Sequence, residues 1–174
     1  MGRIGEGWTV AKYLMEFERG GGVSTPSLKA RARRIRAMAA AEGLGGSFAA
    51  RLSALEIEIG ALESVELQIL ANLSQGEAPG ARSSMMKTVG TEISQRLTEL
   101  ALEAAGDYGH AYQPHATAPG GPTPGYPPPS DQGHVGPDHS LTVASKYLND
   151  RAASIYAGTN EIQRNIMAKA VLGL

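Results

Sequence analysis

The stretch SFAARLSALEIEIGALESVELQILANLS, residues 47–74, sets Phe48, Leu52, Leu55, Ile59, Leu62, Ile69 and Leu73 at steps of three and four, apart from one seven-residue step over Glu66. Such steps stack side chains on one face of an α-helix, whereas a half-buried strand alternates every second residue. The segment is therefore predicted as one long amphipathic helix.

Its neighbours repeat the pattern. Upstream, the glycine-rich residues 43–46 separate it from a helix predicted from Pro26 to about Glu42, where Ser24-Thr25-Pro26 joins a capping hydroxyl to a proline suited to a first turn. An earlier helix opens near Trp8 and runs to Arg19, with Val10, Leu14 and Phe17 on one face and Gly20-Gly21-Gly22 as its exit. Downstream, a polar connector at 75–81 leads to a helix from about Ser83 to Ala105, whose buried stripe is predicted as Met86, Val89, Ile93, Leu97 and Leu100. Residues 108–137 are so rich in proline and glycine that neither helix nor central strand should persist, and 108–139 is read as a loop insertion. Its core, PGGPTPGYPPP at 119–129, is either extended chain wrapped on the surface or a proline-rich ligand for a partner domain. A fifth helix is predicted from Ser140 to about Ser154, and a last one from after Thr159 to Val171, following a break at Ala157-Gly158. Burying these stripes together gives an all-α fold, an antiparallel bundle of four-helix type, in one domain spanning 1–174.

Composition narrows the function classes. With 42% hydrophobic and 19% charged residues and a net charge of −1, the chain has the profile of a globular protein, and charge names no partner. The absence of cysteine excludes disulfides and thiolate metal sites. His110, His115, His134 and His139 crowd the loop without the i, i+4 helical spacing of a zinc pair, so no metal is expected. No apolar run approaches the roughly 20 residues of a membrane span, and Met1 to Gly7 carries no signal pattern, so a cytoplasmic protein is expected. The basic residues Lys29, Arg31, Arg33, Arg34 and Arg36 suit either a polyanion or a solvated face paired with Glu56, Glu58, Glu63 and Glu66. No aromatics interleave them, so nucleic acid is not expected.

Three stretches carry a family resemblance. The C-terminal YLNDRAASIYAGTNEIQRNIMAKAVLGL (147–174) closely resembles the end of acyl-CoA dehydrogenases, whose signature has the form Ile-Tyr-x-Gly-Thr-x-Glu-Ile-Gln-Arg-x-Ile. GWTVAKYLMEFERG (7–20) resembles that family's junction between its middle β-domain and C-terminal bundle. SSMMKTVGTEISQ (83–95), with Tyr112-Gln113-Pro114, is more weakly similar to bacterial members bearing a proline-rich insertion. An Arg-Lys-x-Phe-Gly motif that many relatives carry after the first helix is absent.

The resemblance implies FAD-dependent α,β-dehydrogenation of an acyl-CoA thioester, with a homo-oligomer or a hetero-oligomer with another chain of the family, and electron-transferring flavoprotein as acceptor. The N-terminal helical and middle β domains that members place before this segment are not expected within these residues, so the chain alone is expected to be inactive. A non-catalytic helical assembly module, docking on a complete or complementary chain, is the alternative. Many relatives place the catalytic glutamate at the position of Ala157, which has no side chain able to take a proton. Others place it in the first helix before an arginine, which corresponds to Glu18; a solvated or Arg19-paired carboxylate is the plainer reading of that residue. The resemblance puts the Ala157 N–H at the substrate thioester carbonyl and Gly158, Thr159 and Glu161 against the FAD, whereas the residues alone read more readily as an ordinary helix cap.

Overall fold

The computed structural model describes residues 2–18, 23–116 and 133–173. Among these the regular structure is helical throughout: α1 (Gly7–Glu18), α2 (Thr25–Ala41), α3 (Ser47–Ser74), α4 (Ala81–Ala105), α5 (Val143–Asp150) and α6 (Asn160–Leu172), with short 3-10 turns at Gly106–His110, Pro114–Ala116 and Asp138–Ser140. The all-α class expected from the sequence is the one observed.

The chain divides into two compact units. The first gathers Met1–Lys29, Glu56–Ile93 and Ser154–Leu174. Its core includes Leu28, Ile59, Leu62, Met86 and Ile93. Gly90, inside α4, lets Val23 come close: a Cβ there would lie 3.0 Å from Val23 Cγ1. Between α2 and α3, Lys29 pairs with Glu63. Glu66 accepts from both the backbone N–H and the hydroxyl of Thr25. The one gap in the apolar register of residues 47–74 is therefore a polar clamp on the start of α2. The cap expected from the local Ser24-Thr25 hydroxyls is supplied across the helix pair instead, because a carboxylate accepts both donors at once.

The second unit, Ala30–Leu55 and Ser94–Ala153, buries Ile35, Met38, Phe48, Leu52, Leu55, Leu97 and Leu100. Asp150, with 3% of its side chain exposed, is the polar centre. It accepts from Ser94 Oγ at 2.6 Å, Arg31 Nη1 at 3.1 Å and Lys146 Nζ at 2.6 Å. Arg151 donates to Glu99 Oε1, Thr98 Oγ1 and the Gln95 carbonyl at 3.0, 2.9 and 3.1 Å and lies over the Tyr147 ring. Gly43, in the left-handed region at φ +67°, ends α2, and the Leu44 N–H reaches the Ala39 carbonyl at 2.8 Å.

Three expectations need adjustment. α5 is shorter than residues 140–154 suggested: Asp138–Ser140 forms a 3-10 turn before it, and Ala152 and Ala153 after it donate three residues back rather than four. The loop is not wholly irregular, since the 3-10 turns at 106–110, 114–116 and 138–140 punctuate its described ends, where Gln113 grips Val135 through both its amide atoms. Its proline-rich core at 119–129 lies outside the described residues. Finally, α1 shows several apolar side chains to solvent: Trp8, Tyr13 and Leu14 are 70, 65 and 55% exposed, while the Phe17 side chain lies outside the described residues.

Candidate functional site

The signature residues form the loop between α5 and α6. Asn160, buried at 3%, closes it by donating its backbone N–H to the Ser154 carbonyl at 3.0 Å. Inside that closure Ala157 sits at φ +56° and Gly158 at φ +84°. Glycine tolerates this region, but an alanine held there costs about 1–2 kcal/mol, so the surrounding bonds must hold the turn in place. Gln163, 1% exposed, does part of this: its Nε2 lies 3.4 Å from both the Ala157 and Gly158 carbonyls. Its Oε1 is buried without a partner among the described residues. The strained turn also leaves the Ala157 and Gly158 N–H groups without a backbone acceptor among the described residues, and Ala157 is exposed.

Thr159 then starts α6 as expected. It is extended, at φ −61° and ψ 157°, and its Oγ1 accepts from the Ile162 N–H at 3.3 Å. The Glu161 carboxyl lies below its usual range because it accepts from its own backbone N–H and from Thr159, with Arg164 and Lys87 adding favourable charge. The N-terminus of α6 thus already holds one side-chain cap and one anion.

Beneath this loop lies a cluster that the sequence reading missed. Lys87 of α4, 6% exposed, donates to Asn160 Oδ1 at 2.9 Å, and Asn160 Nδ2 donates to Thr91 Oγ1 at 3.1 Å. Burial pushes the Lys87 ammonium below its ordinary value, which the charge of Glu161 only partly opposes. A signal was present in the sequence: Ser84, Lys87, Thr91, Ser94 and Thr98 recur at steps of three and four, and all five are buried. α4 carries a polar stripe beside its apolar one.

Glu18 is the last residue of α1, and its side chain lies outside the described residues. Among the described residues no group of three or more histidine or acidic side chains is placed to hold a metal, and no helix is long and apolar enough to cross a membrane. His134 and His139 instead meet Asp138 and Glu42 at 3.4 and 3.2 Å.

The fold has parallels among known proteins. The family model for the acyl-CoA dehydrogenase C-terminal domain matches residues 5–172. Butyryl-CoA dehydrogenase from Megasphaera elsdenii is similar in structure over 97% of this chain, with a TM-score of 0.66 at 17% identity. A structure of the electron transferring flavoprotein of Acidaminococcus fermentans, described in connection with flavin-based electron bifurcation, is similar over 98%, with a TM-score of 0.68 at 16% identity. At such identities the likeness shows the fold alone, and the chain spans only 39 and 40% of those two chains. Among curated proteins no sequence match was found. With nearly its whole length matched, the chain belongs to the acyl-CoA dehydrogenase family, whose members in general depend on FAD, and corresponds to its C-terminal helical domain.

Proposed function

We propose that the chain supplies the helical share of an FAD-dependent acyl-CoA dehydrogenase active site, with residues 154–160 as its working loop. The single observation that carries this reading is the strained Ala157-Gly158 turn, whose cost needs a use. The Ala157 N–H donates to the thioester carbonyl and stabilises the negative charge that develops there as the α-proton leaves. Glu18 takes that proton as the base, in place of the carboxylate that Ala157 lacks. Bound FAD supplies the acceptor for the hydride from the β-carbon. The residues present fit such a group at Gly158 through its N–H, which has no backbone acceptor among the described residues, while the space beside its Cα is taken by Gln163. Thr159 and Glu161 would hold the group through their hydroxyl and carboxylate, since the cap and the anion already at the end of α6 disfavour a phosphate there.

The domain is one helical unit of function, 1–174 with its insertion at 108–139, and the completed enzyme is an oligomer that hands electrons to an electron-transferring flavoprotein. The test joins this segment to the preceding domains of the Megasphaera butyryl-CoA dehydrogenase. In that chimera Glu18→Gln should lower dehydrogenation at least ~10²-fold with flavin content unchanged. Near-full activity in the variant would remove Glu18 from the mechanism. The chain alone should show no turnover of acyl-CoAs with an artificial acceptor.

A second reading, a non-catalytic assembly module, is favoured by Ile57, Leu67 and Leu70 of α3, which are 74, 60 and 56% exposed. It requires a chimera that folds and assembles yet neither retains FAD nor turns over.

A further inference from the structure

The second unit contains a cavity of about 450 Å³ that the proposed dehydrogenation does not use. Small-molecule sites run from roughly 300 to 1,000 Å³, so this one is large enough for an organic ligand. It forms where three helical segments meet without filling the space between them. From α2 come Ile35 and Met38, from α4 Leu97 and Ala101, and from α5 Val143. Ala101 and Thr98 are the small residues that leave the gap, and the large apolar ones are themselves well buried, so the wall is firm.

Its charge is lopsided. Arg31, Arg34 and Lys146 all line it. Arg31 and Lys146 share one buried carboxylate, Asp150. That carboxyl stays ionised: burial pushes it up, but hydrogen bonds from Lys146 and Ser94 and the charges of Lys146 and Arg31 outweigh burial and hold it low. Arg34 brings a third cation with no ion-pair or hydrogen-bond partner among the described residues. Of the other titratable groups at the cavity, Asp138 is 93% exposed and faces His134, and His139 faces Glu42. An apolar wall beside an unmatched guanidinium is complementary to an apolar body bearing one anionic head.

We infer that this cavity binds a carboxylate-headed amphiphile, with its apolar part against Ile35, Met38, Leu97 and Val143 and its head at Arg34. The inference stands apart from the proposed dehydrogenation, because it uses no residue of the 154–160 loop.

The test is isothermal titration of the full chain with sodium decanoate at low ionic strength, beside decanol and acetate. Decanoate should bind one to one at submillimolar concentration, with decanol and acetate each at least ~10-fold weaker, since each lacks half of the recognition. Arg34→Gln, at an exposed position that leaves the fold intact by circular dichroism, should weaken decanoate at least ~10-fold and leave decanol unchanged. Ala101→Phe, which fills the space, should abolish both. Equal affinity for decanoate and decanol, or undiminished binding by Arg34→Gln, would overturn the inference. So would the absence of decanoate binding together with self-association lost in Ala101→Phe, which would assign the cavity to a second copy of the chain.

Discussion

α4 buries charge at two places and deals with it in opposite ways. In the second unit, Ser94 and two cations surround the Asp150 carboxylate, so the charged form is the comfortable one. In the first unit, Lys87 has the neutral amide of Asn160 as its one hydrogen-bond partner among the described residues, and burial favours losing its proton against the partial opposition of Glu161. The first arrangement is a brace, and the second is a tension held beneath the strained turn. A buried charge with its partners stabilises mainly because removing any partner is costly, whereas a buried charge only partly countered is costly already.

Asp150→Ala should break this contrast most severely. It leaves Arg31, Lys146 and Ser94 without their shared acceptor and should cost about 3 kcal/mol in denaturant unfolding at neutral pH. The pH dependence follows from its depressed pKa: the stabilisation is present above the ordinary carboxylate pKa and is lost as pH falls through the lower folded value. An acid-unfolding midpoint unmoved by Asp150→Asn would contradict the brace.

Gly158→Ala comes next. At φ +84° the added Cβ is strained wherever it points, and it would also meet Gln163 Nε2 at 2.8 Å. A loss of about 1–2 kcal/mol is expected, read from the shift in the chemical denaturation midpoint.

Lys87→Met should change stability by less than about 1 kcal/mol at neutral pH, because an apolar chain of similar length suits the site about as well as a buried, only partly compensated ammonium does. Its pH signature is sharper. The folded pKa of Lys87 is lowered, so the unfolded chain binds more protons between that value and the ordinary 10.5, and stability rises with pH across that window. Lys87→Met should lack this component of the alkaline rise. An identical profile in both proteins would mean that Lys87 is not under tension.

The smallest effect belongs to Ala157→Gly. Relief of the positive φ is partly offset by the greater freedom of the unfolded chain, leaving a gain of about 0.5 kcal/mol by thermal melting. A loss would show that the alanine methyl contributes packing that outweighs its strain.

Much of the fold was legible because the apolar steps in α3 and α4 are regular: Phe48, Leu52, Leu55, Ile59 and Leu62 are buried as expected, as are Met86, Ile93, Leu97 and Leu100. Towards the end of α3 the pattern misleads, since Leu73 is exposed although it keeps the step. Thr159 as the cap of α6 was legible because capping is local chemistry. The Lys87–Asn160–Thr91 cluster was not, because a polar stripe at helical spacing reads by default as a solvated face. Only the placement of α6 against α4 makes it interior. Asp150 was missed for the same reason: its partners Arg31 and Ser94 lie 119 and 56 positions away.

The clamp of Glu66 on Thr25 has a consequence for the order in which the chain acquires structure. The carboxylate that completes the start of α2 comes from 41 positions away, so that end cannot be finished by a local nucleus and must wait for α3 to dock. Amides in the first turn of α2 should then exchange with solvent only when the α2–α3 pair separates, not by independent fraying of a helix end. In Glu66→Gln the same amides should exchange faster while those in the middle of α3 keep their protection, making residue 66 a latch on a cooperative opening unit rather than on one hydrogen bond.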